Sequence, residues 1–384
     1  MCCARSGLHV FRHIDPARLF EKNRDKWIVN NPDDLQGGPS GALASGGVGW
    51  SLRENARGSS STIQLLKWEI DRVASSSWLF VLSGFLASGF VFAADQGKEV
   101  GGCGLDGEPS IRFVDVASFD PVTLAPLTVK ARLTLPAHGR SASCQSAQSG
   151  WPAVLVLHGS GGVDLRGDFY VRALAEAGVA SLELDMWEAR GVTGPENRPA
   201  LPAYTYPDAF AGLSFLSSYP GIDGDRVGVL GFSWGGVMSM ASATEGVLGL
   251  YGDGVHRFKA HAAHYPICYA YNNPYIPNSE FGSAAGNPLT GAPILIQVGE
   301  LDDYDEGAGP CLALQAGLLE SEGALLEVSV YPGAHHGWDR LQVPMVVDDV
   351  FSHLGLGGAV EFQPDVEQAM SARRRVVTFF KRNL

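Results

Sequence analysis

Arg226-Val227-Gly228-Val229-Leu230-Gly231-Phe232-Ser233-Trp234-Gly235-Gly236-Val237 runs from a short apolar segment into a serine with glycine two residues to either side, and out into a helical pattern. A strand, a sharp turn and a helix in this order lift a Ser hydroxyl above the edge of a sheet. The flanking glycines keep side chains out of the strained backbone. The five-residue match Gly231-Phe232-Ser233-Trp234-Gly235 is weak by itself in a chain with 48 glycines, and its flanking strand and helix supply the specificity. The plain alternative is a structural Ser in a tight turn.

Outward from this turn the chain alternates. Ile111 to Val116 and Leu127 to Leu135 have the period of half-buried strands and suit an antiparallel edge hairpin. Ala153 to Leu157, Ala180 to Leu184, Val227 to Leu230, Pro293 to Val298 and Leu325 to Val330 are nearly continuous apolar runs, the pattern of strands covered on both faces. Helical patterns lie between or after them: Tyr170 to Ala177, Tyr206 to Ser218, Gly235 to Thr244, Cys311 to Ser321, and a terminal helix near Pro364 to Arg382. Repeated strand and helix with right-handed crossovers predicts an α/β fold with a doubly wound, mostly parallel sheet.

A Ser hydroxyl is a poor nucleophile until a base takes its proton and a third group orients that base. In folds built on this turn the chain order is Ser, acid, His. The strand Ile294 to Val298 leads into Gly299-Glu300-Leu301-Asp302-Asp303, and the next strand leads into Tyr331-Pro332-Gly333-Ala334-His335-His336-Gly337. The acid is thus Asp302, Asp303 or Asp305, with Asp302 preferred, and the base His336 or His335, with His336 preferred. His256, His261 and His264 lack ligand spacing and are expected to be structural. An oxyanion formed on the substrate needs backbone N–H donors. Trp234, after the nucleophile, supplies one. The other is assigned to Ser160 in His158-Gly159-Ser160-Gly161-Gly162, with Gly159 as second choice.

Hydrophobic residues at 45% and charged residues at 18% describe a globular chain with a large core. The net charge of -13 opposes binding to nucleic acid, and Arg373-Arg374-Arg375 is expected to be a solvated helix face. Residues 1–76 show no sustained period and contain a Gly/Ser-rich run from Gly37 to Gly47. From Trp78 to Ala94 the chain is apolar, with Lys67 and Arg72 before it and small residues at Val91-Phe92-Ala93, the order of a secretory signal. A span of about 17 residues is short for a bilayer core of ~30 Å, so cleavage is expected, with an uncleaved anchor or a buried helix as alternatives. Residues 1–94 are therefore assigned to an N-terminal extension with a signal-like segment at about 67–94. Residues 1 to about 65 are expected to lie upstream of the true start. Residues 95–384 are the catalytic domain, exported to the periplasm or secreted. Cys103, Cys144, Cys268 and Cys311 are an even number without a zinc-like pair, and admit two disulfides or four buried thiols.

From Ala153 to His336 the chain resembles the dienelactone hydrolase family of the α/β-hydrolases, through V-L-V-L-H-G-S-G-G, L-D-M-W-E-A-R-G, D-A-F-A-G-L-S-F-L, R-V-G-V-L-G-F-S-W-G-G, V-G-E-L-D-D and Y-P-G-A-H-H-G-W-D. The resemblance implies an α/β-hydrolase fold and favours Asp302 and His336. It makes Arg190 the candidate anchor for a substrate carboxylate, the alternative being a loop salt bridge to Asp185 or Glu188. It also implies a Cys268–Cys311 disulfide like one in exported relatives. Two departures stand out: the best-known members use Cys where this chain has Ser233, and carry Glu where it has His158-Gly159.

The expected activity is hydrolysis of small carboxylic esters or lactones through an acyl-enzyme, without metal or cofactor. The segment Tyr269 to Gly291, with Tyr269, Tyr271, Tyr275 and Phe281, is expected to form a pocket wall or cap. Alternatives are a prolyl oligopeptidase-type peptidase, against which the lack of a preceding propeller-sized domain counts, and a non-catalytic binding protein on the same fold.

Overall fold

In the computed structural model, the described residues are 108–137, 150–194, 197–273, 276 and 279–384. Cys103, Cys144, Tyr275 and the apolar segment Trp78 to Ala94 lie outside them. Eight strands form one mixed sheet in the order β1-β2-β4-β3-β5-β6-β7-β8. They are β1 (Ser110–Phe119), β2 (Pro126–Leu135), β3 (Trp151–Leu157), β4 (Ala180–Asp185), β5 (Ile222–Phe232), β6 (Ala260–His264), β7 (Ile294–Leu301) and β8 (Leu326–His335). β1, β2 and β4 pair antiparallel, and β4, β3 and β5 to β8 pair parallel. This is the α/β-hydrolase fold that the resemblance implies, with the antiparallel hairpin at one edge.

Continuous apolar strands arise because successive side chains point to opposite, equally dry faces. In β3, Leu155 and Leu157 pack on one face with Phe210, Leu213 and Leu216 of α2 (Tyr206–Ser218). Val154 and Val156 pack on the other with Tyr170 and Leu174 of α1 (Leu165–Glu176) and Val376 and Phe380 of α6 (Val366–Asn383). α1 begins before the expected Tyr170 because Asp164 caps it, accepting from the Arg166 N–H. α3 (Trp234–Ala241) follows β5. α4 (Glu245–Tyr251), capped by Thr244, had no sequence counterpart. α5 (Gly309–Gly317) stops short of Ser321. Among the described residues, no helix is long and apolar enough to cross a membrane.

Between β8 and α6 the chain makes an unexpected second sheet, the hairpin β9 (Met345–Asp349) and β10 (Gly358–Phe362). The segment expected to form a pocket wall or cap is partly outside the described residues, and Tyr269 lines a pocket with Asn272, Pro310 and Leu354. Phe281 and Tyr271 pack into the core cluster of Ile296, Val298 and Leu314, and the Tyr269 hydroxyl donates to the Phe351 carbonyl.

A buried polar network joins the turns at the carboxyl ends of the strands. Asp339 accepts from the Tyr170 and Tyr265 hydroxyls at 2.7 and 2.6 Å and lies 3.0 Å from His264 Nδ1. Arg166, paired with Asp164 at 2.6 Å, donates to the Tyr265 hydroxyl at 3.1 Å. Burial alone would push the Asp339 carboxyl up. The hydrogen bond and charge of His264, with Arg166 and Tyr265, more than offset this and hold it below the usual carboxylate range.

Two other buried histidines stay neutral. Burial lowers both His158 and His261 to about 4, against the weaker upward pull of backbone acceptors at Gly159 and Ser239. Their folded pKa lies below the unfolded value, so the unfolded chain binds more protons between about 6.5 and 4. The contribution of these two histidines should therefore be fully present above pH 6.5 and be lost as pH drops toward 4, by on the order of 3 kcal/mol per histidine. Urea unfolding of wild type beside His261→Gln at pH 7, 5.5 and 4.5 measures it: the variant's stability relative to wild type should rise as pH falls, by about 2–3 kcal/mol.

Candidate active site

Ser233 sits at the junction of β5 and α3 with φ 51° and ψ -107°, a conformation rare for a residue with a side chain. Its N–H donates to the His264 carbonyl at 2.9 Å, and the Gly235 N–H to the His158 carbonyl at 3.1 Å, so the turn is pinned to the ends of β6 and β3. The flanking glycines are obligatory on steric grounds. A Cβ on Gly231 would lie 1.9 Å from the Gly235 carbonyl oxygen, and one on Gly235 2.2 Å from that of Leu157.

The Ser233 hydroxyl is 3.0 Å from His336 Nε2. His336 Nδ1 is 2.9 and 3.1 Å from the two Asp302 oxygens. His336, Asp302 and Ser233 are all buried, Ser233 at 8% exposure. A bulge between β7 and β8 makes this meeting local: the register shifts between Gly299 and Leu301, and Leu301 pairs with His335. Asp302 is fixed by the Tyr304 N–H, which donates to Oδ1 at 3.0 Å.

The neighbours are used elsewhere. Asp303 accepts from the Glu361 N–H, and Asp305 from the N–H groups of Cys268 and Tyr269 at 2.7 Å. Burial, and next the charge of Asp302, push the Asp305 carboxyl up to about 7. His335 faces Glu361 at 3.9 Å, and His256 pairs with Asp253 at the surface. Cys268 and Cys311 are bonded to each other and tie the segment after β6 to α5 beside the acid loop.

The loop after β3 is held in place by side chains. His158 Nδ1 donates to the Gly159 carbonyl at 2.7 Å while Nε2 accepts from the Met186 N–H at 3.0 Å, which defines the neutral tautomer. Trp187 Nε1 donates to the Ser160 carbonyl at 3.0 Å, and the Gly162 N–H to the Gly159 carbonyl. The N–H groups of Ser160 and Trp234 donate to no protein group among the described residues. The Trp234 indole donates to Thr205 at 2.9 Å and packs edge-on against Trp187.

Arg190 requires a correction. Its guanidinium binds neither Asp185 nor Glu188, and is held by Asp208 on α2 at 2.7 and 3.2 Å. It also donates to the carbonyls of Met186 and Tyr204. Asp208 is fully buried; burial pushes its carboxyl up against the pull of Arg190. The bidentate pair with a buried carboxylate anchors the loop after β4 to α2.

Sequence reasoning missed three groups around His336. Its ring lies 4.3 Å from that of Tyr304, 4.6 Å from Tyr265 and 5.5 Å from Phe362 on β10. Tyr304 was the one within reach of a sequence signal, two residues past Asp302.

The profile of the Dienelactone hydrolase family matches residues 139–384, more than half of the chain. No curated protein matches. Similar solved structures include a dienelactone hydrolase from Anabaena variabilis, at 15% identity and TM-score 0.47 over 72% of this chain and 100% of that one. An esterase from the archaeon Pyrobaculum calidifontis has 16% identity and TM-score 0.45, over 71% and 83%. Thermogutta terrifontis esterase 2 has 13% identity and TM-score 0.47, over 71% and 94%. With the elbow, the acid loop and the histidine turn all inside the matched span, the chain belongs to the dienelactone hydrolase family.

Proposed function

We propose that this hydrolase cleaves small carboxylic esters or lactones through an acyl-enzyme on Ser233. The observation that carries the reading is the hydrogen-bonded line from the Ser233 hydroxyl through His336 to Asp302, anchored on a strained elbow. His336 takes the Ser233 proton as the oxygen attacks the carbonyl, then returns it to the leaving alkoxide. Asp302 holds the Nδ1–H tautomer and stabilises the imidazolium. The N–H groups of Trp234 and Ser160, free of protein acceptors among the described residues, would receive the developing oxyanion. Water then enters where the alcohol left and repeats the proton transfers in reverse. No step calls for a metal or cofactor.

A fluorophosphonate should label Ser233 and no other residue. Mass mapping beside Ser233→Ala checks it, and a folded protein that takes no label would favour a binding role.

We also propose that the protein works in an oxidising compartment, periplasmic or extracellular, which the Cys268–Cys311 pairing supports. Alkylation without reductant followed by peptide mass analysis should leave both sulfurs unmodified; modification of both would reverse the assignment.

Arg190→Ala strands the buried Asp208 charge. It should cost about 3–5 kcal/mol of stability by urea unfolding and lower turnover of neutral and anionic esters in the same proportion. A selective loss of anionic esters would restore Arg190 as an anchor.

A further inference from the structure

The line from Ser233 to His336 is one arc of a closed ring of contacts. Next to Ser233, the Trp234 ring lies under the Arg198 guanidinium, 5.6 Å from its centroid. Arg198 binds Asp349 Oδ2 at 2.9 Å, and the same oxygen accepts from the Tyr304 hydroxyl at 3.0 Å. Tyr304 packs on His336, whose Nε2 meets Ser233. Arg198 comes from the loop before α2 and Asp349 from the end of β9, so the pair joins two separate excursions of the chain beside the nucleophile.

We propose that the Arg198–Asp349 pair sets the charge of the substrate, admitting uncharged esters and lactones and turning away those that carry a carboxylate near the scissile bond. The inference rests on the hydrolase reading above and specifies its substrate class. A guanidinium beside the nucleophile would by itself recruit an anionic substrate. Here it is neutralised at hydrogen-bond distance, and side-chain exposures of 14% for Arg198 and 10% for Asp349 leave little water to screen the pair.

An incoming carboxylate must displace Asp349 or sit beside it, and like charges held together in a poorly solvated site repel strongly. Among the described residues, Arg190 is held by Asp208, and Arg166 and Arg340 both face Asp164. Carboxylates also lie around His336: Asp302 and its neighbours Asp303 and Asp305 and, on β10, Glu361 beside His335.

The test compares kcat/KM of the full chain for 4-nitrophenyl butyrate and 4-nitrophenyl hydrogen succinate, which differ in a terminal carboxylate. Wild type should prefer the butyrate. Asp349→Asn frees Arg198 and should raise the succinate-to-butyrate ratio about tenfold or more, the worth of one charge-assisted hydrogen bond. Arg198→Ala leaves Asp349 alone and should lower the ratio, so it tests the pair independently should Asp349→Asn fail to fold. The double variant should lose the gain of Asp349→Asn. A ratio unmoved in variants that melt cooperatively and turn over the butyrate, or both rates falling in one proportion, would overturn the proposal. If wild type hydrolyses neither ester and takes no fluorophosphonate on Ser233, the hydrolase reading itself fails, and the substrate assignment with it.

Discussion

At the elbow Gly235 lies against the Leu157 carbonyl with no space for a side chain. β3 and β5 are parallel neighbours, and their turns interlock: Gly235 donates to His158 and Ser233 to His264. The strained Ser233 backbone, a conformation costing about 1–3 kcal/mol, persists because these two hydrogen bonds over-determine it. The same clasp fixes the separation between the nucleophile and the loop that carries Ser160. Main-chain bonds thus set the Ser233 turn, while the His158 and Trp187 side chains hold the loop that carries Ser160.

The other half depends on side chains. His336 leaves β8 just after a bulge, and an imidazole there could adopt several rotamers. Asp302 restrains it at Nδ1, while Tyr265, Tyr304 and Phe362 close on its ring. Tyr265 is itself held by Asp339, three residues past His336, and by Arg166 at the start of α1. The orientation of the base is therefore tied to α1, on the far side of the sheet from α2. Buried charges of this sort are retained at a desolvation cost, which full hydrogen bonding offsets.

The doubly covered strands were legible because burial on both faces leaves an unmistakable apolar run, and the elbow, Asp302 and His336 because the order of turns follows the order of strands. Arg190 misled because sequence offers Asp185 and Glu188 close by, whereas Asp208 becomes a neighbour only after α2 packs. Tyr271 and Phe281 pack into the core because aromatic composition does not say which way a ring faces. The hairpin escaped notice because β9 is largely exposed and ends in two aspartates, so it lacks the alternation of a half-buried strand.

His158 and the hairpin bear on what the proposed site would accept. The family resemblance implies a carboxylate at the position of His158-Gly159 where the nucleophile is a thiol. Here the imidazole is neutral and spends both nitrogens on backbone groups, so it holds the oxyanion loop without placing a charge beside Ser233. The Arg198–Asp349 pair comes from outside the β3–β5 clasp, on the loop bearing Arg198 and on β9. Those segments can change without disturbing the Ser233 turn, so on the proposed reading selectivity is free to vary while the chemistry stays fixed.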